Sequence, residues 1–202
     1  IADYYYIFNN SIRNSFLSKI KKELENVILI VDEAHNLPTR IRELMTHRVS
    51  SIVIENAKRE LQKHNYDIKN IEIVEDALFE LAKDVDNEAV VSRNQFVDLI
   101  SKRKSYSEVL TELLLAGEDI RYKQKISFAL SIAKFLESWL GSDAGYGRII
   151  SREMGKKLKV GLSYRCLDPS IAAKEVMQRS YSTILMSGTL SPTSMYKDIL
   201  GF

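Results

Sequence analysis

The stretch that most constrains this chain is residues 27–31, VILIV, five aliphatics that run directly into Asp32 and Glu33. A short apolar run without period-two alternation predicts a strand buried on both faces, as in a parallel sheet. A second run, STILM at residues 182–186, leads into the polar loop SGTLSP. Ligands of open parallel sheets bind at the carboxyl ends of the strands. The two runs are therefore expected to be parallel, buried neighbours in one sheet, bringing Asp32 and Ser187 together across everything between them.

That intervening sequence has a different texture. Before the first strand, Ile12, Phe16, Ile20 and Leu24 recur every four residues and predict one helical face. The aromatic run YYYIF at residues 4–8 fits either a strand end or the start of that helix. After the acids, NLPTRIRELM reads as a short helix entered through Pro38. From about residue 50 to 141 helix follows helix. Ile71, Val74, Leu78, Leu81 and Val85 form one stripe, and Ile126, Ala129, Ala133, Leu136 and Leu140 another. Ser92 with Gln95 and Ser105 with Glu108 have the spacing of capping boxes. Gly117 is expected to end the helix that Ser105 opens. Residues 147–166 suggest two short strands joined through Gly155. Asp168 and Pro169 then mark a helix start, and a last short helix ends near Gly201. The order is α/β, helical, α/β, and its economical form is a helical insertion within one parallel sheet.

An acid at the end of a buried strand can hold Mg²⁺ through water, while a neighbouring Glu polarises the attacking water. Asp32 and Glu33 supply hard oxygen ligands of the kind Mg²⁺ prefers, which the imidazole of His35 does not. The bland alternative is that Asp32 only caps a helix.

The string ILIVDEAH settles on a likeness. It resembles motif II, the Walker B box, of superfamily 2 helicases, and Ser187–Pro192 resembles their motif III in the Gly form. Residues 164–192 are similar over their whole length to XPD-like helicases, in which a helical Arch is inserted between these motifs. The resemblance is specific over about residues 28–44 and 163–202, and the middle matches by position and helicity. It implies a RecA-like motor domain at 1–47, an Arch at 48–159 and the return of the motor domain at 160–202. It implies Asp32 as the Mg²⁺ ligand, Glu33 as the base for water, Ala34 and His35 as links to neighbouring motifs, and Ser187, Gly188 and Thr189 as the coupling loop. The parent would be an ATP- and Mg²⁺-dependent 5′→3′ DNA helicase acting on single-stranded and forked DNA. Such a parent carries a 4Fe–4S cluster and meets repair or transcription-factor proteins through the Arch. A DinG-like relative also has an insertion here, and a non-catalytic docking module is the rival from another class.

Other features bound this reading. No G-x-x-x-x-G-K-[ST] occurs, so the phosphate cradle is missing and the chain by itself is expected to be inactive. It has one cysteine, Cys166, which excludes an internal disulfide and any cluster built from this chain alone. Low cysteine use suits an intracellular setting, nuclear in a eukaryote and cytoplasmic in a prokaryote. Lacking an initiator methionine and opening in mid-pattern, the chain reads as an internal piece of a longer protein. No apolar run reaches the roughly 20 residues that span a bilayer, so no membrane partner is expected. The net charge of +2 is too small to imply nucleic acid. Local basic clusters at residues 19–22, 102–104, 121–125 and 152–159, with Tyr106, Tyr122 and Tyr146 nearby, could still track a strand. Lys102, Arg103, Lys104, Arg121 and Lys123 are the candidates, each a solvated face on the bland reading. Trp139 and Cys166 are expected in the core, and His47 and His64 on the surface.

Overall fold

The computed structural model describes residues 1–155 and 158–202; Lys156 and Lys157 of the fourth basic cluster lie outside the described residues. In chain order the elements are α1 (Tyr5–Phe8), α2 (Asn10–Lys19), β1 (Ile28–Val31), α3 (Leu37–Met45), β2 (His47–Ser50), α4 (Ser51–Lys63), α5 (Lys69–Leu81) and β3 (Glu88–Val90). They continue with α6 (Arg93–Ser101), α7 (Tyr106–Lys123), α8 (Phe128–Trp139), β4 (Tyr146–Met154), β5 (Leu158–Cys166), α9 (Ser170–Arg179), β6 (Ser182–Leu185) and α10 (Thr193–Leu200). The chain divides into two compact units: residues 1–46, 144–146 and 166–202 form unit 1, and residues 47–143 and 147–165 form unit 2. None of the described helices is long and apolar enough to cross a membrane.

Unit 1 is built on β1 and β6, which pair in parallel from Ile28 with Ser182 to Val31 with Leu185. The expected neighbours are therefore joined. Burial on both faces is corrected, however. Leu29 and Val31 enter a core with Phe8, Leu37, Ile41 and Val176, while Ile28 and Ile30 are 58% and 65% exposed on the opposite face. Side chains alternate across a strand, and the helices of unit 1 cover one face of the pair only.

The run YYYIF resolves as the short helix α1. The four-residue spacing in α2 misleads, because the helix stops at Lys19 and Lys21 takes a left-handed φ of 52°. Ile20 is consequently exposed, and Leu24 reaches the core from a separate 3₁₀ turn. Arg13 and Leu17 occupy the buried face instead. The Arg13 guanidinium is satisfied by Glu175 at 2.5 Å, Asn10 at 3.0 Å and the Ile7 carbonyl at 3.3 Å. Pro38 opens α3 as expected. At α9, Pro169 takes the cap position, and the Asp168 carboxylate accepts from the Ser170 N–H at 2.9 Å.

Unit 2 stacks α4 to α8 on a sheet of order β2-β5-β4-β3, which makes it less purely helical than its sequence reads. β2 and β5 are antiparallel, with His47 opposite Tyr164 and Ser50 opposite Gly161. β3 escapes sequence reading, since three residues at the end of an acidic helical segment gain strand form only by pairing with β4. β4 and β5 have nine residues each and are not short. The Ser92–Gln95 capping box forms in full, whereas Ser105 makes no cap bond. Nor does Gly117 end α7, which runs on to Lys123. Gly117 is buried because α8 crosses there, and a β-carbon at 117 would lie 2.5 Å from the Leu130 nitrogen.

Ser127 caps α8, which leaves Ile126 outside the helix and 69% exposed. Leu140 lies past the other end and is 44% exposed. The buried Glu60 carboxylate on α4 accepts from Ser127, from the N–H groups of Phe128 and Ala129, and from Gln124, satisfying orphan donors of α8. Trp139 is fully buried against Phe96 and Phe135 and donates to the Arg93 carbonyl at 3.1 Å. The buried Arg148 guanidinium stacks on Trp139 and Tyr164. His47 and His64 are half-buried, and His64 lies 3.4 Å from the Gln124 side chain, so neither is a plain surface residue.

Candidate active site

The site grows out of the carboxyl ends of β1 and β6. Beyond the paired strands the Met186 N–H donates to the Val31 carbonyl at 3.0 Å, and the Ala34 N–H donates to the Met186 carbonyl at 3.1 Å. Pairing thus continues into both loops. Ala34 is fully buried at this junction, in the core of unit 1. Between Val31 and Ala34 the backbone must turn sharply, and Glu33 takes the left-handed conformation with φ 48° and ψ 42°. That is costly for a residue with a β-carbon. The turn is supported from within by the Asp32 carboxylate, whose Oδ1 accepts from the Glu33 N–H at 2.9 Å.

The turn sends the two acids in different directions. The Glu33 carboxylate meets the second loop: Ser187 Oγ donates to Glu33 Oε2 at 3.2 Å, and His35 Nδ1 lies 3.1 Å from the same oxygen. His35 Nδ1 is also 2.8 Å from Ser187 Oγ. Because Nδ1 faces a carboxylate oxygen as well as the hydroxyl, it carries the proton in the neutral ring. The Thr189 N–H donates to Ser187 Oγ at 3.3 Å, and the Thr189 hydroxyl lies 3.4 Å from it. Gly188 sits between them with nothing within 4 Å of where a β-carbon would be. The structure therefore gathers Glu33, His35, Ser187 and Thr189 into one hydrogen-bonded cluster. Asp32 stands apart, exposed beside a cavity of about 680 Å³ whose lining includes Asp3, Tyr4, Ile7, Leu29, Asp32 and Glu33.

Tyr4 is the residue that sequence reasoning missed. Its hydroxyl donates to the Asp32 carbonyl at 2.5 Å, with the Glu33 carbonyl at 3.2 Å. Desolvation raises its phenol above the ordinary value, and the Asp32 and Glu33 charges add to the rise. The only local signal was the aromatic run itself.

The donor set suits one hard cation held loosely. Asp32 Oδ1 is engaged by backbone, leaving the other oxygen for a metal that keeps most of its waters, as Mg²⁺ does. Among the described residues no three His, Cys, Asp or Glu side chains converge on one point. An iron–sulfur cluster is not fitted by this chain: Cys166 is 1% exposed, its Sγ donates to the Asp168 carbonyl, and burial pushes its thiol up.

The five basic candidates lie in unit 2, and four of them have acidic partners. Arg103 pairs with Asp76, Lys104 with Glu112, Arg121 with Glu118 and Lys123 with Asp119. Lys102 is exposed and has no ion pair among the described residues.

Comparison with known proteins gives a consistent picture. Residues 1–54 match the DEAD_2 family model. The helicase subunit XPD of the general transcription and DNA repair factor IIH from Schizosaccharomyces pombe is 54% identical over 41 residues, which are 20% of this chain and 5% of that protein. An XPD helicase structure superposes with a TM-score of 0.68 at 24% identity, covering 98% of this chain and 33% of its own. An apo XPD structure gives 0.65 at 25% identity, covering 98% and 37%. A truncated XPD gives 0.62 at 22%, covering 98% and 53%. The chain thus spans between a third and about half of the solved structures it resembles, and its α/β fold with a mainly helical second unit is theirs.

Proposed function

We propose that this chain, an XPD-like helicase segment, is the DEAH-bearing part of an enzyme that couples Mg²⁺–ATP hydrolysis to 5′→3′ movement on single-stranded and forked DNA. The observation that carries the reading is the cluster of Glu33, His35 and Ser187, which ties the acid loop after β1 to the loop after β6. In this reading Asp32 holds Mg²⁺ through water, and the ion supplies positive charge against the phosphates. Glu33 is the base that takes a proton from the attacking water. Ser187 and His35 hold that carboxylate aside in the present conformation, and its release from Ser187 Oγ both frees the base and loosens the 187–189 loop. Ala34 fixes the junction from below. The phosphate-binding loop, the 4Fe–4S cluster and the second motor domain lie on other parts of the parent, so the chain alone does not hydrolyse ATP. Unit 2 is the Arch, which gates the strand.

Glu33→Gln in the full-length protein tests this. The amide fills the same volume but is a poor base, so nucleotide affinity should persist while turnover falls about 100-fold or more. Turnover within tenfold of the parent would refute Glu33 as the base.

A second reading is favoured by the ion pairs of unit 2. With Arg103, Lys104, Arg121 and Lys123 already matched by acids, unit 2 is instead a docking surface for protein partners such as those of a transcription and repair factor. The salt dependence of DNA binding separates the two.

A further inference from the structure

The left-handed turn at Glu33 requires an explanation, because a residue with a β-carbon held there costs about 1–3 kcal/mol. Local contacts support the flanks: Asp32 Oδ1 takes the Glu33 N–H, and the Ala34 N–H is tied to Met186. Those bonds fix the amides of the turn; of its carbonyls, that of Glu33 also accepts from the Asn36 N–H at 3.0 Å, and that of Asp32 is left to something else. The carbonyls of Asp32 and Glu33 converge on one atom, the hydroxyl of Tyr4, at 2.5 and 3.2 Å. Tyr4 is itself immobilised. Its carbonyl accepts from the N–H of Phe8, the last residue of α1, and its ring packs against the core that holds Leu29, Val31 and Ala34.

We propose that Tyr4 is a positioning residue for hydrolysis, its hydroxyl holding the Asp32–Glu33 backbone in the one turn that aims the two carboxylates apart. This rests on the reading of Glu33 as the base. Without the hydroxyl, the Asp32 carbonyl loses its donor, the Glu33 carbonyl keeps only the Asn36 N–H, and the strained turn relaxes toward right-handed or extended backbone. The Glu33 carboxylate then loses the fixed direction from which, once released by Ser187, it takes the proton of the attacking water, while the Asp32 side chain stays at the strand end. The chemical step suffers and nucleotide binding does not.

The test is Tyr4→Phe in the full-length protein, which keeps the ring and its packing and removes one donor. Loss of a hydrogen bond of this kind predicts a kcat about threefold to tenfold lower with the KM for Mg²⁺–ATP within twofold. Tyr6→Phe, two residues on and exposed, should leave both constants unchanged. In a Glu33→Gln background, removing the Tyr4 hydroxyl should cause no further loss, since the group being positioned is gone. An unchanged kcat overturns the proposal, as does a raised KM with kcat intact. A kcat loss that vanishes well below the melting midpoint overturns it too, because it would report stability only. If Glu33→Gln itself retains turnover, the reading of the base fails, which is a different result from a silent Tyr4→Phe.

Discussion

Replacing Gly117 by alanine sets two effects of opposite sign against each other. Gly117 lies in the middle of α7, where alanine is favoured over glycine by about 1 kcal/mol through helix propensity alone. Packing opposes this. The new β-carbon would lie 2.5 Å from the Leu130 nitrogen, 2.6 Å from its Cα and 2.8 Å from its Cβ. The two closest atoms are backbone, so no rotamer change relieves the contact, and α7 must withdraw from α8 by roughly 1 Å to restore ordinary separation. Overpacking of this kind costs ~1–3 kcal/mol where side chains can adjust. Here withdrawal also disturbs the buried face of α7, which carries Val109, Leu113 and Ile120, all of them nearly or fully buried. The packing term should therefore sit at or above the top of that range and win. A net destabilisation of about 2 kcal/mol is expected, or ~4–8 °C in melting midpoint for a chain of this size. Trp139 is the only tryptophan of the chain and is fully buried on α8, so its fluorescence during urea unfolding reads the event directly. Gly188→Ala is the control, with open space around it and an expected change within about 0.5 kcal/mol. A Gly117→Ala variant as stable as the parent, or more so, would refute the close crossing of α7 and α8.

Burial pushes the pKa of His47 below its ordinary value, so the unfolded chain takes up a proton more readily than the folded one. Its contribution to the stability of unit 2 is full above about pH 6.5 and is lost as pH falls through the lower folded-state value. His47→Gln should flatten the fall in urea midpoint between pH 7.5 and 5.5, and parallel curves for the two proteins would refute this. For DNA binding by the full-length protein, Lys102→Ala should lower the slope of log affinity against log salt by about 0.7, as for one phosphate contact with a single strand. Arg103→Ala should change it less, since Asp76 already neutralises that guanidinium. Slopes that do not move would favour the protein-docking reading of unit 2.

What was legible in the sequence follows from the range of the interaction that decides each feature. The meeting of the Asp32–Glu33 loop with Ser187 could be expected because each loop follows an aliphatic run, and strand ends in a parallel sheet are where such loops converge. The Ser92–Gln95 box is local, and it formed. The Ser105–Glu108 box has the same spacing, but Ser105 Oγ pairs with Ser107 Oγ instead. Gly117 was misread because a glycine needed for a helix crossing looks the same in sequence as one that ends a helix. The exposed face at Ile28 and Ile30 could not be foreseen from five aliphatics, since exposure depends on what covers the sheet. Tyr4 was hidden for a similar reason: its acceptors lie 28 and 29 residues along the chain. Glu60 was hidden too, as its carboxylate caps a helix more than 60 residues away.

The antiparallel pairing of β2 with β5 bears on how unit 1 assembles at all. Glu33 and Ser187 are 154 residues apart, and closing so long a loop to join β1 to β6 is entropically costly for an unstructured chain. In unit 2, His47 and Tyr164 stand opposite each other, so the segment's entrance and exit strands run side by side. Once those strands pair, the loop left to close is only a few tens of residues, roughly two halvings of the original, which lowers the closure cost by about 1 kcal/mol. The inserted unit then works as a staple in the folding of unit 1. A lesion that frays β2 from β5 would slow the meeting of the two loops before it changed anything in their chemistry.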